Sequence, residues 1–301
     1  MSTRQHDLVV VGAGITGLAA AHEACLAGLS VAVVEATMFG GLVVNVNELD
    51  GEPGGSGAEL SMRMARDAMR GGAVHLSANV ESVTGGADGF EVATDVEPLR
   101  ARAVLAASGA RLRRLGVPGE TELRDLGVSS CADCDGPLYR GKTVVVVGGG
   151  DSAIQEALVL AGYCGQVVVV HRGERFSARA RLVEALGRCT NVAVRWRSTV
   201  AEIVGTDGVT GVRVAGPDGV VADLPCEGVF AYVGLEPVAQ WAPPDAPRDA
   251  AGALVTDAAF ETAVPGLFAA GAVRSGYRGM LADAIAEGQG AARSVIARLA
   301  P

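Results

Sequence analysis

Cys131 and Cys134, in the run Cys131-Ala132-Asp133-Cys134-Asp135, have the spacing of a thiol–disulfide couple. Two intervening residues close a small ring that opens and re-forms readily by exchange, and the neighbouring carboxylate of Asp135 is placed to hand over the proton that exchange needs. The same spacing serves as half of a zinc site. That reading needs a second CxxC or a histidine pair, whereas Cys25, Cys164, Cys189 and Cys226 are scattered singly. Two core cysteines at helical spacing are the bland alternative, and Asp133 and Asp135 on either side of Cys134 argue against an apolar surrounding.

Two glycine-rich turns flank this pair in sequence. Leu8-Val9-Val10-Val11 reads as a buried parallel strand, Gly12-Ala13-Gly14-Ile15-Thr16-Gly17 as a tight turn, and Leu18 to Ala27 as the helix that follows. The next strand, Val31 to Val34, ends in Glu35, the acid that a dinucleotide fold places about twenty residues beyond its glycines to hold a ribose. The glycines let a pyrophosphate approach the backbone, and the helix N-terminus accommodates its charge. A glycine turn with no ligand is the plain alternative, and the complete strand–turn–helix–strand–acid context outweighs it.

The same grammar returns once. Thr143 to Val147 is a strand, Gly148-Gly149-Gly150-Asp151-Ser152-Ala153 a turn, and Ile154 to Ala161 a helix. The following strand, Val167 to Val170, ends in His171-Arg172 where the first unit has Glu35. A carboxylate there holds a free ribose hydroxyl, whereas an arginine suits a 2′-phosphate. Two different dinucleotides are implied, FAD in the first unit and NADPH in the second.

These turns need two sheets to hold them. A chain of 301 residues with 49% hydrophobic residues is long and apolar enough for two buried cores. Its formal net charge of −9 and the lack of a Lys/Arg block speak against nucleic acid. No apolar run is long enough to span a membrane, and Met1 to Asp7 is polar, so the expectation is a cytoplasmic protein. Linkers are read at Arg113 to Glu120 and at Glu236 to Gly252, the latter rich in proline. The expected fold is α/β: two Rossmann-like dinucleotide-binding domains, the second inserted in the first, each with a small antiparallel β meander. The first domain takes 1–114 and 241–301, and the second, carrying the cysteine pair, takes 115–240. Gly116 to Gly119 and the residues near Pro237 are read as hinges on which the second domain rotates.

Together these blocks resemble the low-molecular-weight thioredoxin reductases over essentially the whole chain. Gly12, Gly14, Gly17 and Glu35 match the family's FAD site, Gly40-Gly41 with Pro53-Gly54 its flavin-side loop, and Ala106 to Ala110, including Ser108 and Gly109, the strand leading to the next domain. Gly148, Gly150, Asp151, Ser152 and Ala153 with His171 and Arg172 match the NADPH site, and Gly266 to Gly271 through Arg278 the C-terminal flavin segment. The resemblance implies that Cys134 lies nearer the flavin, that Cys131 exchanges with the external substrate, and that Asp135 is the acid and base of the pair. It also implies a thioredoxin-like protein or a small disulfide as partner, and a homodimer.

The chain departs from the family at the cofactors: Ala272 replaces an acid, Leu42 and Gly279 replace glutamines, Gly51 replaces an asparagine, and Ser177 replaces the last arginine of the phosphate clamp. Two other functions are therefore weighed beside the reductase. One is an FAD-dependent oxidase that forms a disulfide in a small dithiol with oxygen as acceptor, or a reductase with a donor other than NADPH. The other is a non-catalytic redox-sensing or binding module.

Overall fold

The computed structural model describes residues 4–46, 49 and 55–300, so Gly51, Pro53 and Gly54 lie outside the described residues. Two compact units emerge: residues 1–111 with 236–301, and residues 112–235.

Strand β1 (Arg4–Val11) is followed by helix α1 (Ile15–Leu26) and strand β2 (Val31–Val34). Leu8 to Val11 and Val31 to Val34 are buried throughout, as β-branched strands covered on both faces must be. Alanines at 19, 20, 21 and 24 keep α1 thin enough to lie on the sheet and against the last helix of the chain. Helix α2 (Gly57–Arg70) opens on a capping box, with Ser56 Oγ accepting the Glu59 N–H at 3.2 Å and Glu59 accepting the Ser56 N–H at 3.0 Å. Strand β3 (Val74–Leu76) extends the parallel sheet, and β4 (Val80–Gly86), β5 (Gly89–Thr94) and β6 (Leu99–Ala106) follow as an antiparallel meander. The chain leaves this unit through β7 (Ala110–Leu112).

The second unit holds β8 (Val128–Ser129), the short helix α3 (Ala132–Asp135), β9 (Thr143–Gly148), α4 (Asp151–Ala161), β10 (Gln166–Val170), α5 (Ala180–Leu186) and β11 (Val192–Arg195). Its meander is β12 (Thr199–Gly205), β13 (Val209–Ala215) and β14 (Val221–Pro225), before β15 (Gly228–Tyr232) re-enters the parallel sheet. The chain returns through β16 (Leu235–Pro237), which pairs with β7, and completes the first unit with β17 (Leu267–Ala269) and α6 (Leu281–Leu299).

The order β3-β2-β1-β6-β5-β4 puts β1 between β2 and β6, and the order β11-β10-β9-β15-β8 puts β9 between β10 and β15. Both neighbours of each first strand are parallel to it. Their connections diverge at the carboxyl ends, which is where an open α/β sheet forms a binding crevice. Among the described residues, no helix is long and apolar enough to cross a membrane.

Two segments read as linkers are built structure. Buried Glu120 accepts the N–H groups of Leu115 and Gly116, both at 2.8 Å, and a Cβ at Gly119 would overlap the Ile203 carbonyl. Residues 116–119 are thus fixed inside the second unit. The proline-rich stretch after β16 carries Ala239, Trp241, Ala242 and Ala246 into the core of the first unit. Arg248 closes it by donating to the carbonyls of Ala239, Ala242, Pro243 and Ala246 at 3.0 to 3.4 Å. Arg248→Met leaves these carbonyls without their charged donor and should destabilise the first unit by about 2–3 kcal/mol, read as a lower urea midpoint in Trp241 fluorescence.

Candidate functional site

Cys131 and Cys134 are joined in a disulfide with Cα atoms 5.3 Å apart. Cys131 caps α3: its Sγ accepts the Cys134 N–H at 3.2 Å, and its own N–H donates to Ser129 Oγ at 3.1 Å, so β8 sets the entry to the loop. The exit is held by the Asp135 N–H, which donates to the Cys131 carbonyl at 3.1 Å. Ala132 is fully buried, and its N–H donates to Glu156 Oε2 at 2.9 Å. Cys134 is exposed, while Cys131 and Asp135 are half-buried. Three of the remaining thiols are buried and quiescent by environment. Burial pushes Cys164 up to about 11 and Cys226 to about 12 and raises Cys25, so these three stay protonated at neutral pH.

In the same unit, a cavity of about 570 Å³ opens at the ends of β9, β10 and β15. Gly148, Gly150, Asp151, Ser152, Ala153, His171 and Arg172 all line it. Gly148 has φ +146°, and a Cβ there would overlap the Tyr232 carbonyl. Helix α4 starts after Gly150 without a side-chain cap, leaving first-turn N–H groups for a ligand. The Asp151 carboxylate is engaged by Arg179, through the N–H at 2.7 Å and Nε at 2.6 Å. Arg179 is therefore committed within the loop. His171 Nε2 lies 3.0 Å from the Arg175 carbonyl, and its ring covers Gly149, where a Cβ would overlap it. Ser177 Oγ donates to the Gly149 carbonyl at 3.2 Å, so the hydroxyl that stands in place of the family's arginine steadies the glycine loop. Arg172 is exposed, with no hydrogen-bond or ion-pair partner among the described residues. Arg113 and Arg114 also line the cavity, and their only sequence signal was a basic run inside a supposed linker.

The first unit repeats the crevice. Gly12 has φ +104° and passes against the Ala107 carbonyl beyond β6, while a Cβ at Gly17 would overlap the Gly12 carbonyl. Gly14 differs: a Cβ there would meet nothing within 4 Å. Helix α1 begins at this open point with no side-chain cap and no acid in its first turn. Gly40 and Gly41, with φ +102° and +57°, lie beside it, and the Gly40 N–H donates to the Ala13 carbonyl at 2.7 Å. Glu35 accepts the Ala13 N–H at 3.0 Å and both the N–H and hydroxyl of Thr37 at 2.9 Å.

Farther along the same unit, Ser108 Oγ donates to the Val238 carbonyl at 2.5 Å, and Gly109 turns with φ +67°. Gly271, with φ +73°, donates its N–H to Glu287 at 2.8 Å, and Glu287 also pairs with Arg274. Arg278 pairs with Asp283 at 3.1 Å, and the second oxygen of Asp283 is buried without a partner. An open Gly14, uncapped N–H groups on α1 and a carboxylate at the end of β2 fit the pyrophosphate and ribose of a dinucleotide such as FAD.

A family model for pyridine nucleotide-disulphide oxidoreductases matches residues 6–290. The thioredoxin reductase of Treponema pallidum is 36% identical over 275 residues, covering 90% of this chain and 89% of that protein. That of Listeria monocytogenes is 38% identical over 276 residues, covering 90% and 86%. Among solved structures, Lactococcus lactis thioredoxin reductase in its FR conformation superposes with a TM-score of 0.92 at 31% identity, covering 98% of this chain and all of that one. Paired glycine crevices, a CxxC disulfide and relatives matched along nearly their full length agree: the chain belongs to the pyridine nucleotide-disulphide oxidoreductase family and is an oxidoreductase of the thioredoxin reductase type.

Proposed function

We propose that this chain is an FAD-dependent disulfide reductase that takes electrons from NADPH and delivers them through Cys131 and Cys134 to a thioredoxin-like protein or a small disulfide. The observation that carries this reading is the Cys131–Cys134 disulfide, with Cys134 exposed, in the unit that also holds the cavity lined by an uncommitted Arg172. FAD, when bound, supplies the transfer of an electron pair from nicotinamide to disulfide.

The first-unit residues in the FAD role are Gly12, Gly14, Gly17, Glu35, Gly40, Gly41, Ser108, Gly109, Gly271 and Arg278. The pyrophosphate of NADPH meets the turn at Gly148 and Gly150 with Asp151, Ser152 and Ala153. Arg172 takes the 2′-phosphate, and His171 orders the loop beside it. Two electrons and two protons convert the disulfide to two thiols, with Asp135 moving the proton. Cys131 then attacks the partner's disulfide as a thiolate, a state its bond from the Cys134 N–H stabilises. Cys134 attacks the resulting mixed disulfide, which restores the Cys131–Cys134 bond and releases the partner as a dithiol.

The relatives are reductases by name, which favours this direction over a small-molecule dithiol oxidase and over a non-catalytic sensor. A dithiol cycle of this kind works in a reducing compartment, which supports the cytoplasm, and the homodimer follows from the family resemblance.

Cys134→Ser should abolish turnover and trap the partner on Cys131 as a covalent species that a reductant releases, seen by intact-mass spectrometry, whereas Cys131→Ser should be inactive and trap nothing. Arg172→Ala should raise KM for NADPH about tenfold, the scale of one lost charge-assisted phosphate contact, with NADH kinetics nearly unchanged. Equal losses with the two nucleotides would remove Arg172 from the 2′-phosphate role.

A further inference from the structure

Glu156 has no part in the chemistry above, yet it stands between the disulfide loop and the nucleotide cavity of the second unit. It lies on α4, half-buried, and one oxygen, Oε2, receives both the Ala132 N–H at 2.9 Å and the Tyr232 hydroxyl at 3.1 Å. Ala132 is the residue immediately after Cys131, and Tyr232, at the end of β15, lines the cavity. A carboxylate is an expensive group to bury merely as a clasp, since a neutral acceptor would hold the same two donors without desolvating a charge.

We propose that Glu156 is a positioning residue for the Cys131–Cys134 couple: its carboxylate clamps the loop through Ala132 and its charge restrains the reduced pair from ionising. This rests on the reading that the pair is the redox centre. A negative group beside a thiol disfavours the thiolate. Because the reduced form is stabilised by ionisation, the same charge favours the disulfide. Glu156 thereby balances the Cys134 N–H, which stabilises a thiolate at Cys131. The other titratable groups around the pair and Glu156 are Asp133 and Asp135 on α3, Tyr232 on β15, and Tyr139, which Asp135 raises further after burial. Burial raises the Glu156 carboxyl first, with Asp133 adding to it, while the Ala132 and Tyr232 bonds pull the other way.

Glu156→Gln separates charge from clamp, because an amide oxygen still accepts from Ala132 and Tyr232. The FAD-loaded protein, reduced with dithiothreitol and so independent of any reaction with NADPH, is alkylated with iodoacetamide across pH, with Cys131 and Cys134 read separately by peptide mass spectrometry. In E156Q the Cys131 profile should move to lower pH by about one, roughly tenfold faster alkylation below the midpoint. The redox equilibrium against a dithiothreitol couple should shift several-fold toward the dithiol. Asp133→Asn, which removes a neighbouring charge that makes no bond to the loop, should move the profile less. An unchanged profile in E156Q, or an equal shift in D133N, overturns the proposal. A normal E156Q shift in a protein whose disulfide NADPH cannot reduce would instead overturn the reductase reading alone.

Discussion

A backbone crossing without room for a Cβ recurs at the centre of each unit, and the binding geometry depends on it. At the end of β1, Gly12 turns with positive φ against the Ala107 carbonyl; at the end of β9, Gly148 does the same against the Tyr232 carbonyl. Each crossing lets the chain leave its strand and start a helix at once, directing uncapped N–H groups into the crevice between the two neighbouring strands. Any side chain at these positions forces the crossing apart. The crevices therefore follow from strand order and two glycines, and the proposed nucleotide selection by the acid or arginine at the next strand end is added to that frame.

The disulfide loop is placed by the same sheet. Ser129 at the end of β8 holds the Cys131 N–H, and Glu156 on the helix that follows the second glycine turn holds the Ala132 N–H. Cys131 and Cys134 thus take their position from the element that also forms the nucleotide crevice. Elsewhere in the chain, burial keeps Cys25, Cys164 and Cys226 protonated.

Much of this was legible in the chain because it is written in local pattern. Valine runs bounded by glycine turns gave β1, β2, β9 and β10. The two meanders were visible as short alternating strands between glycines. What escaped was long-range. Four prolines read as a linker because proline reports only on its own backbone, whereas Trp241 packs into the core of the first unit and its carbonyl accepts the Val83 N–H, contacts no short window of sequence contains. Nothing in the local pattern marks Glu156, on which Ala132 and Tyr232 converge from 24 and 76 residues away. Arg179 is committed by the fold to Asp151, a pairing across 28 residues that no local pattern shows.

The proposed cycle requires that electrons from NADPH reach the bond between residues 131 and 134. It is tested most directly by adding NADPH under nitrogen to the FAD-loaded protein and measuring, by alkylation and peptide mass spectrometry, whether Cys131 and Cys134 become free thiols. Both should be alkylated in the presence of NADPH and neither in its absence, with Cys25, Cys164 and Cys226 unchanged. A disulfide that survives excess NADPH while dithiothreitol opens it would contradict the account.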